Sequence, residues 1–189
     1  SLMRTIALPK HKPLTASLEQ CLQNRRSCRE MSEKELSDED LSSLLWSCAG
    51  ITSAEDGRRT TPSTLDLKGV SVCVVRRDGA WRYDAEHNQL VELTDADVRE
   101  LTTTYQFEFV KEAPVTLVFV ADHERTKKAR PTGVFCDAGT MGQSCYLAAV
   151  SLGIKGCIRA SFDHDKLAQA MKLQPFEEPI MLFTCGYGR

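Results

Sequence analysis

The run APVTLVFVAD, residues 113–122, sets the strongest limit on how this chain can fold. It is apolar and largely β-branched, too short to cross a membrane, and lacks the alternation of a strand with one wet face. A strand of this kind is buried on both faces, so its expected place is the centre of a sheet. A second β-branched run, VSVCVV (70–75), leads into an Asp78-Gly79 turn, and WRYDAEHNQLVEL continues in strand-like pieces broken by another polar turn. Together these read as a small meander. IKGCIRAS supplies a strand or extended loop, and EEPIMLFTCGYG a last strand.

Helical patterns are interspersed without a regular alternation of helix and parallel strand. LTASLEQCLQNRR carries Leu14, Leu18, Cys21 and Leu22 at helical spacing and runs into a group of arginines. SDEDLSSLLWSCAG opens on Ser37 as N-cap with Asp40 three residues on, sets Leu41, Leu44, Leu45 and Cys48 on one face, and stops at Gly50. Another helix is expected over about 95–110. The longest covers 133–153, where Ala138, Gly139, Gly142, Ala148 and Ala149 keep its surface small. DHDKLAQAMKL is a further helix, with Asp163 near its cap. Residues 52–69 have no clear period and read as a functional or mobile loop. The expected class is α+β, with a mainly antiparallel central sheet flanked by helices.

At 189 residues the chain suits one domain, preceded by a Pro-containing arm over residues 1–13. The formal net charge of −2 gives no global field that would draw it to nucleic acid or an anionic membrane, so any anion site must be local. No apolar run approaches the length of a membrane span, and the first residues lack a secretory core, so a soluble, cytoplasmic protein is expected. The eight cysteines never come closer than seven positions apart and include no CxxC, which favours buried free thiols over a metal centre. His11, His87, His123 and His164 are scattered, with no nucleophile motif beside them, and read as surface or structural residues. Trp46 reads as core packing.

Three stretches can carry chemistry. In NRRSCRE, Arg25, Arg26 and Arg29 surround Ser27 at a helix end. Guanidinium forks and a hydroxyl suit a phosphate ester, and a solvated basic helix terminus is the plain alternative. In RRTTPSTLDLKG, Pro62 fixes a turn while Ser63, Thr64, Asp66 and Lys68 offer polar atoms to the edge of a flat heterocycle, unless the stretch is only a polar connection. In GIKGCIRAS, Gly153 and Gly156 let main-chain N–H groups approach a ligand, or simply punctuate a turn.

The order of these stretches resembles the nitroreductase family: an Arg-Arg-Ser-x-Arg segment after the first helix, a Pro-Ser loop before a strand, a small-residue helix, then LGIKGCIR, a short helix and a final P…GY strand. The likeness is to small members, including the SagB-type dehydrogenase branch, and covers roughly residues 18–189. It implies the FMN-dependent nitroreductase fold and a homodimer with one FMN at each subunit interface. Arg25, Arg26, Ser27 and Arg29 would hold the FMN phosphate and ribityl chain, a group carrying nearly two negative charges. Pro62, Ser63 and Thr64 would line the flavin from the partner subunit. Asp66 stands where the family often has asparagine and Lys68 where glutamine is frequent, and a carboxylate cannot donate to the ring. Backbone N–H groups of Gly156, Cys157, Ile158, Arg159 and Ala160 would face the ring, and Gly188 and Arg189 match a frequent basic phosphate contact.

By the same resemblance the flavin carries the chemistry and no catalytic side chain is implied. NADH or NADPH would give up a hydride and leave, and a nitroaromatic, quinone or similar small flat acceptor would take the electrons, in a ping-pong sequence. The SagB-type branch instead oxidises thiazoline or oxazoline rings in peptides, also with FMN. A non-catalytic module binding a nucleotide or phosphorylated partner through the arginines is the reading of another class.

Overall fold

The computed structural model describes residues 3–189; residues 1 and 2 of the expected N-terminal arm lie outside it. The elements are β1 (Thr5–Ala7), α1 (Leu18–Asn24), α2 (Asp38–Ala49), β2 (Ile51–Ser53), β3 (Arg58–Arg59), β4 (Val70–Arg76), β5 (Gly79–Asp84), β6 (Gln89–Thr94), α3 (Glu108–Glu112), β7 (Val115–Asp122), α4 (Gly133–Leu152), β8 (Ile154–Arg159), α5 (His164–Ala170) and β9 (Glu177–Tyr187). Seven strands form one sheet in the order β1-β6-β5-β4-β7-β9-β8, antiparallel at every pairing. The class is α+β, as expected.

β7 sits between β4 and β9 and is buried along nearly its whole length. Its alternation shows why it has no polar face. Leu117 and Phe119 join the core beneath α2 and α4, with Leu44, Leu45, Val72, Val74, Met141, Cys145 and Phe183. Val118 and Val120 join a second core on the opposite face, with Cys73, Val75, Phe162, Leu167, Met171 and Leu182. The β7–β9 register slips between Phe119 and Val120, beside Pro179, a residue with no N–H for the ladder.

The expected helix caps are present. Ser37 caps α2 by accepting from the Asp40 N–H, and Asp163 caps α5. Cys21, Cys48, Cys73, Cys145, Cys157 and Cys185 are buried free thiols, with Cys28 half-buried and Cys136 exposed. Burial pushes the Cys73 and Cys185 thiols up to about 12. Among the described residues no helix is long and apolar enough to cross a membrane, and no His/Cys/Asp/Glu group could hold a metal ion.

Other expectations need correction. The stretch 95–110 is not one helix: a single 3-10 turn at Arg99–Thr102 precedes an irregular stretch and then α3. Here three consecutive threonines turn their hydroxyls on the backbone, Thr102 Oγ1 donating to the Arg99 carbonyl (2.6 Å) and Thr103 Oγ1 to that of Tyr105 (2.8 Å). The stretch 52–69 contains the β2–β3 hairpin and a further 3-10 turn at Thr64–Asp66. The first helix starts only at Leu18, where Ser17 and Gln20 form a capping box, and Cys21 is its one buried residue. Trp46 is half-buried rather than core, its ring stacked on His11 at 3.8 Å.

Candidate active site

α1 ends where the Arg25 N–H bonds the Cys21 carbonyl, and the chain then leaves the helix in an extended conformation. The segment that follows is laid along the open edge of β8 and across the end of β9. Cys28 N–H donates to the Gly156 carbonyl (2.8 Å) and Ser32 N–H to that of Tyr187 (2.7 Å). Tyr146 of α4 fastens the arrangement: its Oη pairs with Ser27 Oγ at 2.8 Å and accepts from the Ile158 N–H at 2.9 Å. Its ring meets Phe183 edge-on at 5.3 Å, and the Arg25 guanidinium lies over it at 5.0 Å.

Arg25 is half-buried, while Arg26 and Arg29 are exposed on the same segment. Among the described residues none of the three forms an ion pair, although most other arginines of this chain do. Three cations left without carboxylates, beside a hydroxyl, are a chemistry that can take an anion in a chain of net negative charge. A hollow of about 120 Å³ opens there, lined by Arg26, Cys28, Tyr146, Lys155 and Gly156.

β8 carries the other predicted contacts. Gly156 is required by close approach, since a Cβ there would stand 2.4 Å from the Phe183 ring. The strand's alternation divides its N–H groups: those of Cys157 and Arg159 turn into the β9 ladder, and that of Ile158 is taken by Tyr146. The open edge therefore offers the N–H groups of Gly156 and Ala160. Arg189 lies next to this region, bonding the Met31 carbonyl through Nε (3.0 Å) and pairing with Glu112.

The Pro62–Lys68 loop is held elsewhere, at the opposite end of α4. Buried Asp137 accepts the Thr64 N–H at 3.0 and 3.1 Å and the Thr64 hydroxyl at 2.9 Å. Gly133 allows the contact, because a Cβ there would meet the Thr64 side chain at 2.8 Å. Ser63 Oγ accepts the Lys68 N–H (3.0 Å), and Asp66 and Lys68 pair with each other (3.0 Å). Leu65, Asp66 and Lys68 have φ of +51°, +54° and +51°, a run of left-handed conformations costly for such residues and typical of ligand-contacting loops. The loop borders a cavity of about 880 Å³ that Ala49, Arg59, Val72, Tyr83 and Met141 also line. Asp137 and Tyr146 are nine positions apart. That puts about 14 Å of helix between the two predicted halves within one chain.

The structure thus brings Arg25, Ser27, Gly156 and Ile158 together around one tyrosine and keeps Pro62, Ser63, Thr64, Asp66 and Lys68 apart from them. Sequence reading missed both organising residues, Tyr146 and Asp137. Their signal is a polar side chain on the inward stripe of a helix otherwise lined with small residues.

A seven-stranded antiparallel sheet flanked by a long small-residue helix defines the α+β class, and the family match makes the protein an oxidoreductase. The chain belongs to the nitroreductase family, whose model, described as Nitroreductase family, matches residues 22–187. A nitroreductase homologue of Methanocaldococcus jannaschii is 29% identical over 181 residues, spanning 89% of this chain and 90% of its own. A crystal structure of a nitroreductase homologue from Ralstonia eutropha superposes with a TM-score of 0.92 at 36% identity, covering 98% of this chain and 90% of that one. The Escherichia coli microcin synthetase McbBCD complex shares the fold at 20% identity, with a TM-score of 0.73 over 89% of this chain and 72% of the matched one.

Proposed function

We propose that this oxidoreductase is an FMN enzyme that takes electrons from NADH or NADPH and delivers them to a flat acceptor such as a nitroaromatic or quinone. The observation that carries the reading is the trio Arg25, Arg26 and Arg29, free of carboxylates and pinned to the edge of β8 through Ser27 and Tyr146. Bound FMN supplies two-electron hydride chemistry, and the protein supplies the binding and orientation.

The arginines and the Ser27 hydroxyl hold the phosphate and ribityl chain through charge-assisted hydrogen bonds. Tyr146 fixes the distance between that segment and the strand, so that a ligand's charged end and its ring are placed together. Gly156 of β8 and Ala160, just beyond it, present main-chain N–H groups to the ring. Arg189, bonded to the Met31 carbonyl and paired with Glu112, braces the arginine segment beside the phosphate rather than adding an unpaired charge.

The second half of the site comes from a second subunit. Leu18 and Leu22 of α1 and Phe135 of α4 are 67%, 54% and 53% exposed, and Leu65 at the tip of the left-handed loop is 68% exposed. Gly139, on the outer face of α4, has no neighbour within 4 Å of a Cβ position. Apolar side chains exposed along these elements suit a homodimer interface. In that dimer Pro62, Ser63 and Thr64 of one chain line the flavin of the other, and the Asp66–Lys68 pair braces the loop rather than donating to the ring.

The test is the absorbance spectrum of purified protein, followed by titration with NADH and NADPH and then with acceptor. A yellow protein bleached by either nucleotide and recoloured by a quinone fits. Reduction by neither nucleotide would move the assignment to flavin-dependent oxidation of a ring substrate, the reading against which the microcin synthetase likeness in fold is set. Replacing Arg25 and Arg29 together by alanine removes two charge-assisted contacts at ~1.5–3 kcal/mol each, so FMN affinity should fall on the order of a hundredfold or more.

A further inference from the structure

Arg159 of β8 has a charged side chain that the proposed cofactor site does not use. It points to the face of the sheet away from α4, alongside its register partner Leu182, and is only 8% exposed. Its guanidinium lies over the Phe109 ring at 5.8 Å, and Nη1 donates a long bond of 3.3 Å to Thr184 Oγ1. Nη2 is buried with no partner, and among the described residues no carboxylate pairs with it. Burial pulls the Arg159 pKa down, although guanidinium remains charged at neutral pH. A buried cation without a counter-charge is a costly arrangement in a folded chain, and an anionic ligand relieves it.

What lies above this cation indicates the ligand's other end. Tyr105, Phe107 and Phe109 form a ladder with ring centroids 5.6 and 5.7 Å apart, leading from solvent to the guanidinium. Tyr105 and Phe107 are largely exposed, apolar rings that the chain's own core does not cover. Their loop is tied across to β8 by a Thr104 N–H to Ser161 carbonyl bond of 3.2 Å, two residues beyond Arg159. A cation at the inner end and aromatic faces leading outward match a planar ring that carries a carboxylate.

We propose that Arg159, with the Tyr105–Phe107–Phe109 ladder, is a substrate-anchoring subsite that takes flat aromatic carboxylates, the anion on Nη2 and the ring against the ladder. The subsite's role as a substrate anchor rests on the oxidoreductase reading above, in which the main-chain N–H of Ala160, the next residue along the chain, faces the cofactor ring. The subsite can be tested without turnover. Benzoate binding to the purified holoprotein is measured by calorimetry against benzamide, its neutral isostere, in the wild type, R159M and R159K. Benzoate should bind the wild type at least tenfold more tightly than benzamide, lose that advantage in R159M, and regain part of it in R159K. In turnover, R159M should raise KM for 4-nitrobenzoate at least tenfold and leave KM for 4-nitrobenzamide in place. Equal affinity of wild type and R159M for benzoate, equal affinity of the wild type for benzoate and benzamide, or no benzoate binding would each overturn the proposal. If R159M does not fold, the benzoate–benzamide contrast in the wild type and in R159K decides. A colourless protein that binds benzoate through Arg159 would sink the flavin reading and leave the anion subsite standing.

Discussion

Removing one oxygen atom, by Tyr146→Phe, is the sharpest perturbation of the candidate site. The hydroxyl joins three elements: it pairs with Ser27 Oγ at 2.8 Å and accepts the Ile158 N–H at 2.9 Å, while the ring beneath it packs on Phe183 and under Arg25. Phenylalanine keeps the ring, so the core contact with Phe183 and most of the stacking of Arg25 survive. What is lost is two hydrogen bonds, one of which leaves the Ile158 N–H without an acceptor. At ~1 kcal/mol per neutral bond, with up to ~1 kcal/mol more for the part-buried Ile158 donor left unpaired, the expected destabilisation is about 2–3 kcal/mol. Tyr146→Ala would add a cavity and cost about 3–5 kcal/mol, but would confound the two effects. Urea unfolding measures the stability change, hydrogen exchange at the Ile158 amide reports the local one, and FMN titration reports the consequence for the arginine segment. The expected result is a faster-exchanging Ile158 amide with weaker cofactor binding. A Tyr146→Phe protein with unchanged stability and unchanged FMN affinity would refute the claim that this hydroxyl sets the site's geometry.

The dimer reading predicts that Leu18→Glu with Leu22→Glu, at two exposed positions of α1, leaves the fold intact while light scattering shows monomers that have lost most of their FMN; a dimer of full size would count against it. Asp40 supplies a pH dependence. Burial raises its pKa, but hydrogen bonds from Lys12, Tyr187 and Ser37 outweigh that and leave the folded-state value below the ordinary one. A depressed carboxylate contributes stability that is present above the unfolded value of roughly 3.9 and is lost as pH falls through the folded value. Thermal melts should therefore show an acid limb below about pH 4 that is shallower in Asp40→Asn, and an unaltered limb would show that Asp40 is not its source.

The elements most legible in the sequence are those where one physical demand dominates. APVTLVFVAD has no polar face and became β7, buried on both sides. Ser37 and Asp163 announced helices through their capping oxygens. Residues 95–110 misled because helical spacing of apolar residues does not show whether Thr102 and Thr103 hydroxyls will compete for the backbone. Leu18 and Leu22 show the limit from another side, since periodicity identifies an apolar stripe but not whether the chain itself covers it. The clustering of Arg25, Arg26 and Arg29 around Ser27 was legible in the sequence itself. The residue that positions it was not, because Ser27 and Tyr146 are 119 positions apart and only folding makes them neighbours.

The covering of β8 has a consequence for solubility. An outermost strand offers unpaired amides and carbonyls to any passing β-segment, and proteins that leave such a border bare tend to clump. Here the border is partly occupied by the chain's own residues 28–32 and fringed with guanidinium groups. Two copies approaching with this border strand to strand would press like charges together, so the arginine segment disfavours β-pairing between copies along this edge of the sheet.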